Sequence, residues 1–514
     1  TLTQETIYST MVRSKMQLLH QRAGEAIESL YPETIEENVE VLAYHFEKGG
    51  IPDKSLHYQI QAAEKCASNH ALHESRGYFQ KAKSILTKKN QAKSRAMIRV
   101  IMGLVDISLK LGEPTRALQL TRNLLDSSQT LSNAVHASFL RRLGDAYHLR
   151  GDLQTAVDKY HHALDLINSV LDSQLSEGRD LILSSYEESL DIRIGIAKIL
   201  FDSGENTKSQ KYAQSVLAEL SGKQNHERVA AVYNTLAGIA FREVDFHRAQ
   251  ELTKKSLASY QANNNRSRIS AAYSNLGVLA SIQQEFISGH EYFSTALEIQ
   301  TSLGDNNGVA ISTNNLGQLE MNLGHLADAK KYLGISNETA RRSELFRSLA
   351  QGLANIGFIL FLDGKYAVAN RNFDEAKTIS NSYPNENLLS EINWKQAECF
   401  LATNNIIDAE SAAKNAIEIA EKIGNYDLEA QGLRSLGRIY RHKGKILKAL
   451  TLLEKAWTLI QGDRDTNKVT RLACEYVLCL SAADQISEAT DIVQRYLVNK
   501  LILEPEFIRE EILF

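Results

Sequence analysis

A small residue recurs every 40 positions through the C-terminal half of this chain, and a second small residue follows each one after twelve positions. The first series comprises Ala237, Gly277, Gly317, Gly357, Ala397, Gly437 and Val477, and the second comprises Ala249, Gly289, Ala329, Ala369, Ala409, Ala449 and Ala489. Two helix backbones that cross closely require small side chains at the contact. The spacing therefore predicts a series of helix pairs that cross at these positions.

Turn and packing residues keep the same period. Bulky side chains precede the crossing at Leu276, Leu316, Ile356 and Leu436, and others follow it at Phe293, Leu333, Phe373 and Leu453. Gly324, Gly364 and Gly444 lie seven residues after the crossing, where glycine ends a helix well. Between pairs, Gly304-Asp305 and Gly424-Asn425 combine a helix stop with an N-cap residue.

The pattern continues upstream with less regularity. The segment 140–164 repeats it around Gly144 and Ala156, and weaker units lie at Ala197, Gly204 and Ser209 and at Val105, Gly112 and Ala117. Residues 42–66 form another helix pair, and 71–88 supply a further helix. The step from Gly144 to Ala197 is 53, which predicts an insertion of about 13 residues near 172–180 as a longer loop or helix extension.

This pattern closely resembles the tetratricopeptide repeat over residues 39–497, with units of 40 residues that imply longer helices than usual. The resemblance implies an all-α fold, an α-solenoid in which stacked helix pairs form a right-handed superhelix with a concave groove. A coiled coil is excluded, because small residues recur at 40 rather than leucines at seven.

The repeats divide the chain into five predicted regions. Residues 1–38 end an upstream module, 39–130 are irregular repeats, and 131–220 are repeats with the insertion. Residues 221–497 are the regular repeats, and 498–514 form a C-terminal helix or a truncated unit.

Composition limits the possible partners and the compartment. The net charge of −4 shows no basic surplus for nucleic acid, and no apolar run approaches the roughly 18 residues of a membrane helix. None of the four cysteines forms a CxxC pair, which favours a cytoplasmic location.

An asparagine row marks the predicted groove. Asn275, Asn315 and Asn355 lie two residues before the crossing, and Asn234 and Asn314 lie three before it. In tetratricopeptide stacks the first helix of each pair lines the groove. A carboxamide offers one acceptor and two donors that match a peptide bond. The row resembles the asparagine ladders of peptide-binding tetratricopeptide proteins. The alternative is that these side chains bond to neighbouring helices or solvate the groove.

In the later repeats, basic residues occupy the corresponding positions of the first helices. Lys395, Arg434, Arg438 and Arg441 are candidates for binding acidic side chains or a carboxylate of a ligand. An ordinary solvated face is the alternative.

No signature of catalysis appears. The sequence contains no GxxxxGK[ST], GxSxG or HExxH motif, and its periodic glycines are explained by packing and turns. His161-His162, and the pair His45 and His57, lie in no recognised zinc-ligand motif. We therefore expect no catalytic residue, metal or cofactor in this chain.

The first seventy residues resemble a segment of the bacterial signal-transduction ATPases with numerous domains, many of which carry a class III adenylate or guanylate cyclase domain. The resemblance rests on "LTQETIY" (2–8), "LLHQRAGEAIESLY" (18–31) and "LAYHFEKGG" (42–50). It implies that the chain is part of a longer protein, with ATPase and cyclase domains, and their ATP and Mg²⁺, upstream of Thr1.

On this resemblance the repeats would be a non-catalytic sensor and regulatory arm that binds a protein or peptide segment in its groove. Two other functions stay open. One is a free-standing scaffold for protein assembly. The other is the sensor arm of an ATPase-type transcription regulator, whose DNA-binding domain would lie outside residues 1–514.

Overall fold

The computed structural model describes residues 12–497, with gaps at 70, 92–93, 128–130, 174–178, 221–225, 384 and 461–465. The described residues form 24 α-helices and contain no β-strand, so the all-α repeat fold is confirmed. The segment "LTQETIY" (2–8) and the tail 498–514 lie outside the described residues.

The chain divides into two compact units, Thr1–Ile239 and Ala240–Phe514, with the boundary inside one helix. The first unit contains a 3-10 helix, Pro32–Asn38, and the helices α1 (Arg13–Leu30), α2 (Val39–Gly49), α3 (Pro52–Ser68), α4 (Leu72–Lys88), α5 (Arg95–Lys110), α6 (Pro114–Ser127), α7 (Asn133–Leu149), α8 (Leu153–Asp172), α9 (Arg179–Asp202), α10 (Asn206–Leu220) and most of α11 (His226–Arg242).

The second unit continues with regular pairs. Its helices are α12 (Phe246–Ala262), α13 (Arg266–Ile282), α14 (Phe286–Leu303), α15 (Asn306–Asn322), α16 (Leu326–Arg342), α17 (Phe346–Leu362), α18 (Tyr366–Ser382), α19 (Glu386–Ala402), α20 (Ile406–Ile423), α21 (Tyr426–His442), α22 (Ile446–Ile460), α23 (Thr466–Ala482) and α24 (Ile486–Ile492), followed by a π-helical turn, Val493–Leu497.

The predicted crossings are close contacts between paired helices. A Cβ atom placed on Gly277 would lie 2.6 Å from the ring of Phe293, and one on Gly357 would lie 2.8 Å from the ring of Phe373. Both rings are buried. The bulky residue 16 positions after the crossing thus occupies the space that the small residue leaves, and burying it contributes about 2–3 kcal/mol.

The turns and caps follow the same period. Gly324 and Gly364 end their helices with φ of 82° and 73°, a conformation that glycine adopts without steric cost. Val244 occupies the corresponding position of the α11–α12 turn with φ of 61°. Asp305 and Asn425 cap α15 and α21 by accepting hydrogen bonds from backbone N–H groups, as expected.

The irregular units keep the same crossing. Ser209 of α10 donates a hydrogen bond of 2.6 Å to the carbonyl of Ala197 in α9, twelve residues earlier. Ser75 of α4 donates one of 2.7 Å to Ala63 of α3, again at a spacing of twelve. Helices α2 and α3 pack on each other as expected. The crossing spacing also pairs α3 with α4.

The insertion takes the form of longer helices around an undescribed stretch. Helix α8 runs to Asp172 and has 20 residues, and α9 begins at Arg179 and has 24 residues. Regular helices such as α13 have 17. Residues 174–178 of the predicted insertion are outside the described part of the chain.

In each unit the first helix of a pair contacts the first helix of the next pair, as α15 contacts α17 and α19 contacts α21. In a curved stack the elements on the inner side are the ones that approach each other. The first helices therefore line a concave surface, and their side chains set its chemistry.

Two glycine substitutions distinguish the effect of steric crowding at a helix crossing from the effect of helix propensity on stability. Gly357→Ala should destabilise the second unit by about 1–3 kcal/mol, because the new methyl group would press on the buried Phe373 ring. Gly334→Ala, inside α16 with no atom near its Cβ position, should stabilise it by up to about 1 kcal/mol. Urea unfolding followed by circular dichroism measures both. Equal shifts in the two variants would contradict the crossing geometry.

Candidate peptide-binding groove

The asparagine row begins with exposed side chains. Asn234 lies on α11 in the first unit, and Asn275 lies on α13 in the second. Both are exposed, and neither has a hydrogen-bond partner among the described residues. Asn314 and Asn315 follow on α15 and are half-buried. Like that of Asn275, the amide group of Asn315 has no hydrogen-bond partner among the described residues.

Asn355 on α17 has a different environment. Its side chain is only 1% exposed. Its Nδ2 donates to Oδ1 of Asn314 over 3.2 Å, and its Oδ1 accepts from Nζ of Lys395 over 3.3 Å. It therefore joins three neighbouring first helices, α15, α17 and α19, which is the structural alternative considered for the row.

Lys395 is buried and its charge is compensated. Its Nζ lies 2.5 Å from a carboxylate oxygen of Glu391, one turn earlier on α19. The ammonium group also lies 5.2 Å from the ring centre of Phe358 and 5.7 Å from that of Trp394. Burial alone would raise the pKa of Glu391, but the nearby Lys395 charge and hydrogen bonds lower it below its ordinary value.

Arg434 and Arg438 on α21 share the buried carboxylate of Glu398 on α19. Arg434 Nη2 donates to Oε1 over 3.0 Å, and Arg438 Nη1 donates to Oε2 over 2.9 Å. The Ser435 hydroxyl donates to Oε1 over 2.6 Å. Burial opposes ionisation of this carboxyl group, yet the two guanidinium groups and the hydroxyl lower the pKa of Glu398 to about 2.

The network continues to α23. Glu475 accepts from Arg441 Nε over 3.1 Å and lies 3.3 Å from Arg438 Nε. The structure brings together the basic candidates Lys395, Arg434, Arg438 and Arg441. Each is paired with a carboxylate of its own helix or of an adjacent first helix.

Sequence reasoning missed the three carboxylates. Glu475 lies two residues before the crossing position Val477, at the phase of the asparagine row, and Glu398 lies directly after the crossing residue Ala397. Their phases were therefore visible in the sequence. Glu391 was visible as the residue four positions before Lys395, a spacing that places opposite charges together on a helix.

An arginine from α23 closes this part of the concave surface. The guanidinium group of Arg471 lies 5.3 Å from the ring centre of Phe358 on α17. The two helices are the first helices of pairs three repeats apart. Trp394 lies between them on α19, edge-on to Phe358 with ring centres 5.8 Å apart. On the inner surface from α17 to α23, side chains of neighbouring first helices thus contact one another.

We therefore distinguish two parts of the concave surface in the second unit. The open part consists of the inner faces of α13 and α15, with Asn275, Asn314, Asn315 and Ile311, an apolar side chain that is 41% exposed. The closed part consists of the network from α17 to α23. Among the predicted groove residues described in this unit, Asn275 is exposed and Asn314, Asn315, Arg438 and Arg441 are half-buried, but both arginines are engaged in ion pairs.

Comparison with known proteins gives the fold. The apo form of RapI is 16% identical to this chain, with a TM-score of 0.51 over 72% of this chain and 98% of that one. The apo form of the quorum sensor NprR from B. thuringiensis is 13% identical, with a TM-score of 0.51 over 71% of this chain and 98% of that one. The chain has a helical-repeat fold of the tetratricopeptide type. The sequence matches no protein-family model and no curated protein.

The described residues contain neither a metal-binding type of cluster nor a helix of membrane-spanning type. No group of three or more His, Cys, Asp and Glu side chains there is arranged to hold a metal ion. None of the helices in the described ranges is long and apolar enough to cross a membrane.

The buried carboxylate of Glu398 predicts a pH-dependent stability. Its pKa of about 2 lies below the ordinary value of 4.5, so its ionised form stabilises the folded state above pH 4.5. This contribution is lost as the pH falls from 4.5 towards 2. Glu398→Gln should cost about 3–5 kcal/mol at pH 7, because Arg434 would remain buried without its counter-charge. Urea unfolding at pH 7 and pH 3 measures both effects.

The matched control is Glu375→Gln on α18. Its partner Arg341 lies at 2.8 Å, but both side chains are largely exposed. This change should cost less than about 1 kcal/mol. A loss for Glu398→Gln as small as that of the control, or one that is unchanged at pH 3, would contradict the buried network.

Proposed function

We propose that this chain is a non-catalytic sensor that binds an extended peptide or protein segment along the open part of its concave surface. The observation that carries the proposal is the pair Asn275 and Asn315 on adjacent first helices. Both have amide groups without partners among the described residues, and both occupy the phase that faces the groove. Such amides match the donors and acceptors of a peptide backbone.

The neighbouring side chains suit the same ligand. Ile311 lies four residues before Asn315 on α15, which places both on one face of the helix. Its exposed apolar side chain offers a contact for one residue of the bound segment, while the amides hold the backbone. Backbone recognition of this kind gives affinity with little dependence on sequence, and the apolar contact adds selectivity.

A display experiment tests the proposal. Twelve-residue peptides selected from a phage library on the full chain should lose about tenfold or more in affinity when both Asn275→Ala and Asn315→Ala are introduced. Two lost sets of backbone hydrogen bonds are worth roughly 1–3 kcal/mol together. Isothermal titration with the synthetic peptides measures the change.

The control uses two exposed asparagines on second helices, Asn381→Ala on α18 and Asn415→Ala on α20. This double variant should bind like the wild type. Selected peptides that bind equally well to both double variants would reject the asparagine groove.

We further propose that the sensor is the regulatory arm of a multidomain cytoplasmic signalling ATPase linked to cyclic-nucleotide synthesis. The resemblance of the first seventy residues supports this, and the quoted segments 18–31 and 42–50 coincide largely with α1 and α2. The reading frame upstream of Thr1 tests it. A P-loop with cyclase motifs would support the proposal, whereas a DNA-binding domain, or neither, would favour the alternatives.

A further inference from the structure

The first unit contains a cavity of 770 Å³ on the inner faces of its first helices. Residues of helix α5 form its floor, and residues at α3 and α7 line its sides. Phe79 of α4 also lines the cavity. Cavities of about 300–1,000 Å³ are the usual size of small-molecule sites. The cavity belongs to the first unit alone, whereas the open part of the asparagine surface belongs to the second.

The floor of this cavity is apolar at the phases where the second unit carries asparagines. Met102 and Gly103 lie three and two residues before the crossing residue Val105. Both are half-buried and line the cavity, as does Ile98 one turn earlier. Because a Cβ atom on Gly103 would lie 2.3 Å from the ring of Phe79, glycine at this position lets the ring pack directly beneath the floor.

The rim of the cavity is charged, and its acidic groups are already paired. Glu64 accepts two hydrogen bonds of 2.7 Å from Arg99. Asp106 accepts bonds of 2.7 Å and 2.9 Å from Arg142 of α7.

Two further cations of the rim take no part in these ion pairs. Arg95 and Lys110, at the two ends of α5, also line the cavity. Both are exposed and have no partner among the described residues. The cavity thus combines an apolar floor with uncompensated positive charge at its edge.

We propose that this cavity binds a small amphipathic carboxylate, with its alkyl or aryl body on Met102 and Ile98 and its carboxylate at one of the two rim cations, Arg95 or Lys110. A peptide backbone fits the floor poorly, because its amide groups would be buried without hydrogen-bond partners, at a cost of about 1–3 kcal/mol each. A hydrocarbon chain has no such groups, and its anionic end matches the rim. This site is separate from the peptide groove of the proposed function.

Isothermal titration of the full chain with decanoate tests the site. The wild type should bind decanoate, and Met102→Glu should weaken binding at least tenfold by placing a charge on the floor. Val135→Glu, on the α7 side of the cavity, gives the same test if Met102→Glu fails to fold, as judged by circular dichroism. No binding by the wild type, or equal binding by a folded floor variant, would overturn the proposal.

The role of the rim is tested by comparing decanoate with decanol. Arg95→Ala/Lys110→Ala should weaken decanoate binding roughly fivefold or more while leaving decanol binding within about twofold. Lys88→Ala/Arg150→Ala removes the same charges from exposed positions outside the cavity lining and should change neither.

Equal losses for both ligands in the Arg95/Lys110 variant would overturn the carboxylate assignment. The assignment would also be overturned if an apolar peptide displaced decanoate and bound equally well to the wild type and to the Arg95/Lys110 variant. Neither result bears on the Asn275/Asn315 experiment, so failure of this site and failure of the proposed function are distinguishable.

Discussion

The structure depends on the close approach of two helices at one small residue. At Gly277, Gly317, Gly357 and Gly437 the missing side chain is replaced by a buried ring or leucine from the partner helix, 16 positions later. This contact fixes the distance and rotation of the two helices in a pair. Since each pair buries its remaining apolar surface only against its neighbours, the same contact also fixes how the pairs stack. A side chain at a given number of residues from the crossing therefore always faces the same surface. Residues that recur every 40 positions consequently form a row of side chains along that surface.

The fold was predictable because its signals are local and repeated. The crossing series, the turns at Gly324 and Gly364, and the caps at Asp305 and Asn425 each involve residues fewer than twenty positions apart. The irregular crossings were harder to read where serine replaces alanine or glycine. Ser75 and Ser209 fit because their hydroxyl groups bond to the partner helix, so a polar residue occupies a place that otherwise demands a small apolar one.

The phases of the candidate site were predictable, but its pairings were not. Considered one at a time in the sequence, Lys395, Arg434 and Arg438 are cations that could bind an acidic ligand. Where neighbouring first helices touch each other, opposite charges on their facing sides pair with one another, as Glu398 does with both arginines. The contact of Arg471 with Phe358 depends on the curvature accumulated over three pairs. No period in the sequence encodes that curvature, so the closure of the surface between α17 and α23 emerged only from the structure.

The division into an open and a closed part restricts how a ligand could act on this repeat array. A ligand shifts a conformational equilibrium only by the difference in its affinity for the two states, and such couplings are typically about 1–3 kcal/mol. Separating Glu398 from the buried Arg434 costs about as much or more, so ligand binding would change the closed part only weakly. Between α13 and α15 the side chains of Asn275 and Asn315 make no hydrogen bonds among the described residues. The hydroxyl groups of Ser274 on α13 and Ser312 on α15 form a neutral contact of 3.3 Å, which is weaker than a buried ion pair. We infer that a bound segment which joins these two helices changes their spacing at a lower cost than it would in the closed part.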